Sequence, residues 1–373
     1  MKKGWTARNL GDLCDVVGGG TPSKDNPAFY SGKIPWATVR DMRQDVITET
    51  ECRISKEAVQ SSATNIIPAG NVVIATRVGL GKVCLLGQDT AINQDLRGII
   101  PQDTKTLSVR FLFWWLKTMA DTIIAEGTGA TVQGVKLPFV KSLQIPVPPL
   151  AEQQRIVGVL DEAFAGLATA QAHAAQNLQN ARALFESHLQ SVFTHRGKGW
   201  VEKTLGELCQ IKTGKKDVNQ GNPEGQYPFF TCAAEHTYSD FYSFDTEALL
   251  VAGNGNVGQV SYYSGKFESY QRTYVLFDFR GVTAKYLFRV LDKRLSATVG
   301  KQKLGNTMPY IKIGMLNDFP VPIPPGDEQA RMTEHLDALA AETQRLTRLY
   351  EQKQAALAAL KKSLLHQAFT GEL

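Results

Sequence analysis

Three glycines in "GNGNVG", Gly253, Gly255 and Gly258, fit the spacing G-x-G-x-x-G. In a dinucleotide site, glycines so spaced allow a tight turn and a close approach of backbone amides to a pyrophosphate at the start of the next helix. The next residues here are "QVSYYSG", a strand-like run, so the helix that would receive the phosphate is not expected. The stretch also misses a P-loop, because Gln259 and Val260 stand where lysine and serine or threonine are required. A glycine-rich β-turn accounts for the spacing. A nucleotide-using enzyme built on the Gly253 loop is kept as an alternative.

Other catalytic patterns are missing. The scattered histidines form no H-E-x-x-H, and the cysteines at 14, 52, 84, 209 and 232 form no C-x-x-C, so no metal site is expected. An odd cysteine count argues for free thiols in a reducing compartment rather than a disulfide framework. Asn26-Pro27 and Asn222-Pro223 continue with Ala28 and Glu224, so neither forms the Asn-Pro-Pro-aromatic tetrapeptide of amino-methyltransferases. No serine, histidine and carboxylate set stands out. No catalytic residue is assigned, and no cofactor is expected on this chain.

The residues that could do chemistry are basic and amide side chains in turn-rich stretches. They are Lys24, Arg40, Arg43, Arg77, Lys82, Asn93, Gln94 and Arg97 in the first half, and Lys212, Lys215, Lys216, Asn254, Asn256, Gln271, Arg272, Lys301 and Lys303 in the second. Arginine and lysine neutralise phosphate or read guanine edges, and asparagine and glutamine read adenine edges. Singly, each is ordinary solvated surface. "NQDLR" and "YQRTY" occupy matching places in the two halves, which raises Gln94, Arg97, Gln271 and Arg272 above the others. A net charge of +5 is compatible with a nucleic-acid partner and does not demand one.

The elements that must position these residues repeat. Shifted by 176 residues, Pro148, Pro149, Glu152, Gln153 and Arg155 fall on Pro324, Pro325, Glu328, Gln329 and Arg331, and "SHLQSVFT" falls on "SLLHQAFT". Upstream the likeness is looser: "GWTARNLGDL" and "GWVEKTLGEL", "VVIATRVGLGKV" and "LLVAGNGNVGQV", "FLFWWL" and "YLFRVL", "KLPFVK" and "TMPYIK". Each half therefore has a variable front and a length-matched back, the signature of an internal repeat.

Each back reads as one long helix. Glu152 to Phe193 has no proline, and Glu328 to Phe369 has neither proline nor glycine. Val157, Leu160, Phe164, Leu167, Ala174, Leu178, Ala181, Phe185 and Val192 follow 3–4 spacing, as do Leu336, Leu339, Leu346, Tyr350, Leu357, Leu360 and Leu364. The proline pairs Pro148–Pro149 and Pro324–Pro325 set the helix starts, Glu152 and Glu328 complement the helix dipole, and Asp327 is the expected N-cap. Such stripes need partners: either each helix packs on its own domain, or the two pack together as an antiparallel coiled coil. The fronts alternate short β-rich runs with one amphipathic helix each. The expected organisation is α+β, with domains at 1–149 and 195–325 separated by helices at 150–194 and 326–373, and a pseudo-twofold internal repeat. The longest apolar run, Phe111 to Leu116, is far too short to span a bilayer. "MKKGWTARNLGDL" has no apolar segment after its lysines, so no secretory leader is expected, and a cytoplasmic protein without membrane contact is.

Two variable domains alternating with two length-matched helices, each introduced by P-x-P-P-x-x-E-Q, resemble the DNA specificity subunit of type I restriction-modification systems. "IPWATVRDM", "IATRVGLGKV", "NQDLRGI" and "TGATVQGV" resemble that family's target-recognition domains. The second domain departs from the pattern, with "GNGNVG" for "TRVGLG" and "YQRTYVL" for "NQDLRGI". The resemblance implies a non-catalytic subunit whose two domains each read one half of a bipartite site on double-stranded DNA. It implies helices that fix the gap and dock two methyltransferase subunits. It also implies restriction subunits as partners, with S-adenosylmethionine, ATP and magnesium used by the partner subunits. A coiled-coil scaffold without DNA binding is the remaining alternative.

Overall fold

A computed structural model describes residue 2 and residues 4–129, 134–194, 197–299 and 309–373. The chain forms two compact units, one made of Met1–Ala174 with Gln352–Leu373 and the other of Ala175–Glu351.

In the first unit, strand Thr6–Asn9 pairs antiparallel with Gln144–Val147, so the chain returns to its start just before the proline motif. Between them lie two sheets. One has five strands in the order Cys14–Gly18, Leu96–Pro101, Val72–Ala75, Val83–Leu86, Val46–Ile47. The other has four, in the order Cys52–Ile54, Ile34–Ala37, Thr90–Ile92, Asn65–Ile67. Val72, Ile74, Val83 and Leu85 face the core shared with the helices, and Val73, Ala75, Cys84 and Leu86 face a second core with Ile67 and Ile92. Burial on both faces explains why these strands read as continuous apolar runs. Helix Val109–Thr118 buries all of Phe111 to Leu116.

The second unit repeats the plan with one larger sheet. Strand Val201–Thr204 pairs with Pro320–Ile323. Six strands stand in the order Gln210–Thr213, Thr273–Phe277, Phe244–Ala252, Val260–Ser269, Tyr227–Phe230, Thr237–Ser239. Helix Ala284–Val299 covers one face through Tyr286, Leu287, Val290 and Leu291.

The long helices run from Leu150 to Thr194 and from Gly326 to Thr370, 45 residues each. Both start on a proline. The carbonyl of Pro149 accepts from the amides of Glu152 (2.9 Å) and Gln153 (3.1 Å), and that of Pro325 accepts from Glu328 and Gln329 (3.0 Å each). The expected N-cap Asp327 is corrected: it lies inside the first turn, pairs with Arg331 at 3.0 Å and adds its charge to the positive end of the dipole. Proline serves at the cap because its missing N–H would have no helical partner there.

The apolar stripe packs in both ways that the spacing allowed. In the first unit Ile156, Leu160, Phe164 and Leu167 complete the domain core together with Leu357, Leu364, Ala368 and Phe369 from the other helix. Phe111 meets Phe369 with ring centroids 5.1 Å apart. The segments run antiparallel, since Arg155 bonds the carbonyl of Leu373 (2.7 Å) while Lys361 sits over Phe164. In the second unit Phe185, Leu189 and Val192 join Met332 and Leu336 on the domain core. Arg182 pairs with Glu351 at 3.0 Å and His188 meets His335, again antiparallel.

A buried glutamine locks each junction. Gln153 is fully buried; its Oε1 accepts from the amide of Ser108 (2.9 Å), and its Nε2 donates to the carbonyls of Thr106 and Pro148 (2.9 Å each). Gln329 repeats this with the amide of Thr283 (3.2 Å) and the carbonyls of Gly281 and Pro324 (3.1 Å each). Eight residues on, Asp161 accepts from Trp114 (2.8 Å) and Arg110 (2.6 Å), and Asp337 accepts from Arg289 (3.0 Å).

Removing the buried amide should be costly. Gln153→Ala strands an amide and two carbonyls, and should lower the stability of the first unit by about 2–4 kcal/mol in chemical denaturation. Gln153→Glu keeps the acceptor but turns a carboxylate toward two carbonyl oxygens, so it should be worse at neutral pH and partly recover in acid. The neighbouring carboxylate gives a pH signature. Glu152 bonds Arg155 (2.7 Å) and Lys2 (3.1 Å), which hold its carboxyl down at about 2, below its ordinary value of 4.5. Its contribution to stability is therefore full above pH 4.5 and lost as pH falls toward 2. Glu152→Gln should flatten that part of the pH–stability profile.

Candidate nucleic-acid interface

In the first unit a groove of about 670 Å³ is lined by Lys24, Arg40, Asn93 and Gln94 among the expected residues, with Thr38, Asp41, Glu51 and Asp95. Its floor is Trp36, whose Nε1 donates to the carbonyl of Gly20 (3.2 Å), with Tyr30 edge-on to the ring. The remaining four expected residues reach lining residues through polar contacts. Arg43 pairs with Glu51, Lys82 donates to the carbonyl of Val39 (3.5 Å), Arg77 lies 3.7 Å from Asp95, and Arg97 donates to the carbonyl of Gln94 (3.3 Å). Arg40 is carried on a short turn, Val39–Asp41, capped from both ends. Asp41 accepts the amide of Thr38 (2.7 Å) and Thr38 accepts that of Arg40 (3.2 Å). Arg97 is half-buried, and burial and then the neighbouring Arg77 lower its pKa, against the pull of Asp95. Lys24 and Arg40 have no ion-pair partner among the described residues.

Asn93 plays a different part from its neighbours. It is 6% exposed, donates to Asp95 (2.9 Å) and accepts Asp95's amide (3.1 Å). Its amide shapes the turn that presents Gln94 and Arg97, and is not available to a ligand in this arrangement.

The turn Arg77–Lys82 closes the hairpin of Val72–Ala75 and Val83–Leu86. Ala75 N–H donates to Lys82 O (3.0 Å), Lys82 N–H to Gly79 O (3.3 Å), Thr76 N–H to Asp95 O (2.8 Å), and Val135 N–H to Thr76 O (2.9 Å). Gly79 and Gly81 take φ of 75° and 84°. A Cβ on Gly79 would stand 2.6 Å from Val39, so this glycine is required for close approach as well as for its conformation.

The second unit has the same frame. Ala252 N–H donates to Gln259 O (2.9 Å), Gln259 N–H to Asn256 O (3.0 Å), Gly253 N–H to Arg272 O (3.0 Å), and Ile311 N–H to Gly253 O (2.9 Å). The "GNGNVG" stretch is thus a hairpin turn entering strand Val260–Ser269, with positive φ at Gly255 and Gly258, and no helix receives a phosphate there. Asn256 and Gln259 line a groove of about 480 Å³ with Ala234, Asp292, Ser296 and Pro309. Gln259 also borders a small cleft with His236. Gln271 bonds Asp217 (3.0 Å), and its amide joins the carbonyl of Lys216 (2.9 Å), which brings Lys216 beside it. Arg272 is exposed, Asn254 bridges Tyr310, and Lys215 lies one residue before Lys216. Lys212 stands apart, with Nζ over the ring of Phe277. Lys301 and Lys303 lie outside the described residues.

Sequence reasoning missed Trp36, Asp41, Glu51, Asp95, His236 and Gln259. Gln259 was readable, as the residue facing Lys82 when "RVGLGK" is laid on "NGNVGQ". The carboxylates gave no signal, because their value lies in which cations they reach. A larger groove in the second unit, about 740 Å³, is lined by Glu247, Asp278, Glu334 and Asp337 and has the wrong charge for a polyanion. Among the described residues no cluster of three or more metal-ligating side chains occurs. None of their helices is long and apolar enough to cross a membrane.

One known family matches the chain twice. The model of the type I restriction modification DNA specificity domain matches residues 2–176 and 197–355, and the chain belongs to that family. Among its relatives are two Escherichia coli proteins. The type I restriction enzyme EcoDI specificity subunit is 37% identical over 174 residues, 47% of this chain and 38% of that protein. The EcoR124I/EcoR124II specificity subunit is 35% identical over 162 residues, 42% of this chain and 40% of that protein. The matched stretches thus span well under half of these relatives. A chain solved in work on complex assembly and conformational transition of a type I R-M system shares the fold, with a TM-score of 0.80 at 20% identity, over 100% of this chain and 99% of that one.

The groove supplies a reporter of its own. Burial pushes the thiols of Cys14 and Cys209 up to about 12 and that of Cys84 up to about 11, whereas Cys52 is exposed on the groove wall. A maleimide at neutral pH should label Cys52 quickly and leave Cys14, Cys84 and Cys209 unlabelled until the protein is denatured. Mass spectrometry of tryptic peptides checks this.

Proposed function

We propose that this chain is the non-catalytic DNA-reading subunit of a type I restriction-modification assembly. The observation that carries the reading is the recurrence, in two domains of one chain of that family, of a hairpin turn bearing cations or amides beside a polar groove. Each domain reads one half of a bipartite duplex site, with exposed lysines and arginines neutralising phosphate and the amide and guanidinium groups meeting base edges. The paired helices set the separation of the half-sites and dock two methyltransferase subunits. Restriction subunits complete the assembly. S-adenosylmethionine, ATP and magnesium serve those partners, and the protein works in the cytoplasm. The names of the relatives and the lack of any catalytic cluster in the sequence support a subunit that leaves methylation and cleavage to others. The Gly253 turn gives a nucleotide-using enzyme no support.

Coexpression with a cognate methyltransferase subunit should produce adenine methylation at one bipartite motif, read by sequencing the methylome with and without this chain. Exchange of residues 195–325 for the corresponding domain of another family member should alter one half of the motif only. A motif that changes in both halves, or in neither, would defeat the two-reader mechanism. Cognate duplex should also slow Cys52 labelling, and Lys24→Glu should weaken binding and flatten its salt dependence.

A further inference from the structure

The two hairpin turns share a frame and differ in chemistry. Four backbone hydrogen bonds correspond one for one, which places Gln259 where Lys82 stands and Arg272 where Asp95 stands. Within the turns, Asn256 replaces Gly79 and Asn254 replaces Arg77. The first turn is therefore cationic beside a carboxylate, and the second is amide-rich beside a cation.

We infer that the turns read different purines: Arg77 and Lys82 select guanine in one half-site, and Asn256 and Gln259 select adenine in the other. This rests on the DNA-reading function proposed above. Guanine shows two acceptors in the major groove, N7 and O6, which suit a side chain that only donates. Adenine shows an acceptor and a donor, N7 and the N6 amino group, which suit a side chain that does both. A lysine or arginine has nothing to accept the N6 hydrogen, and an amide has. The flanking charges agree with this division. Asp95, a groove residue 3.7 Å from Arg77 and 18% exposed, holds that guanidinium beside the groove. Arg272, exposed and in Asp95's place, can take a phosphate and leave the neutral turn to the base. Asn256 is exposed at the tip, and Gln259 lies between two grooves, so both are accessible to a base edge.

The test uses the full chain assembled with its methyltransferase subunits, with the half-sites assigned beforehand by the 195–325 exchange. Methylomes are compared for the native chain, Lys82→Gln, Arg77→Gln and Gln259→Lys. Lys82→Gln and Arg77→Gln should relax a guanine position in the first domain's half-site and leave the other half unchanged. Gln259→Lys should move an adenine position toward guanine in the second domain's half-site alone. On duplexes in vitro it should lose roughly tenfold in affinity for the original site and regain it when that adenine is replaced by guanine. If Gln259→Lys fails to assemble, Asn256→Asp serves instead, since an acceptor-only side chain should shift its adenine toward cytosine. A motif unchanged in every variant, with only a shallower salt dependence, would show that these side chains meet phosphate. That would overturn the inference and leave DNA reading intact. If the native chain directs no bipartite methylation, both fall together.

Discussion

The structure depends on one buried amide used twice. A proline pair turns each domain's last strand into a long helix, and that turn exposes carbonyls and amides that water cannot reach. Gln153 and Gln329 satisfy them with an acceptor and two donors, a set no other side chain of that length supplies. Because each glutamine also reaches the loop before the domain's own helix, it ties three pieces of backbone at one point. The asymmetry of hydrogen-bond energetics makes such a tie strict: making it gains little, and leaving its partners unpaired costs much.

That tie fixes the direction in which each helix leaves its domain, and the acidic residue two turns on reinforces it. Asp161 and Asp337 occupy equivalent places and find different donors, Trp114 with Arg110 in one unit and Arg289 in the other. The same geometry is kept with changed chemistry. The cores obey the same logic. Neither domain buries its helix-facing surface with its own chain segment alone; Ala368 and Phe369 close the first, and Phe185 and Leu189 close the second. The equal length of the two helices is then a packing requirement, because each helix supplies both cores: one gives Leu160 to the first and Leu189 to the second, the other Ala368 to the first and Leu336 to the second. This explains why the back of each half tolerates no net insertion while the front does.

Much of this was legible in the sequence for a physical reason. Repetition at a fixed shift, helix-forming composition and the proline pair are local signals, and they pointed to the α+β domains and the long helices. The features that escaped depended on distance in space. Asp327 looked like a cap because aspartate often is one, yet the proline carbonyl before it already accepted the first helical bonds. The stripe was read through Val157, which packs against the core half-buried, while its neighbour Ile156 is fully buried; both positions fit the spacing to Leu160, so period alone does not rank them. The choice between packing on a domain and packing on the other helix was false, since a wide stripe serves both. At the candidate interface, eight scattered residues of the first half gather around one groove, and Asn93 is consumed by its turn. The second half was less legible because its cations gave way to amides, which carry no charge signal.

The contrast between the two turns also bears on how much of a turn can change without disturbing the fold. A turn held by backbone bonds needs its glycines and tolerates exchange of the remaining side chains. Gly81 and Gly258 keep positive φ at matching places, whereas the other left-handed residue moves from Gly79 to Gly255. Gly79 must stay small because Val39 packs against it, and Asn256 is free to be larger because its side chain is exposed. The core beneath does not register the difference. On the DNA-reading function proposed above, a domain built this way separates folding from recognition: the apolar sheet faces and the glutamine junction carry stability, and the turn carries side chains that can be replaced without repacking.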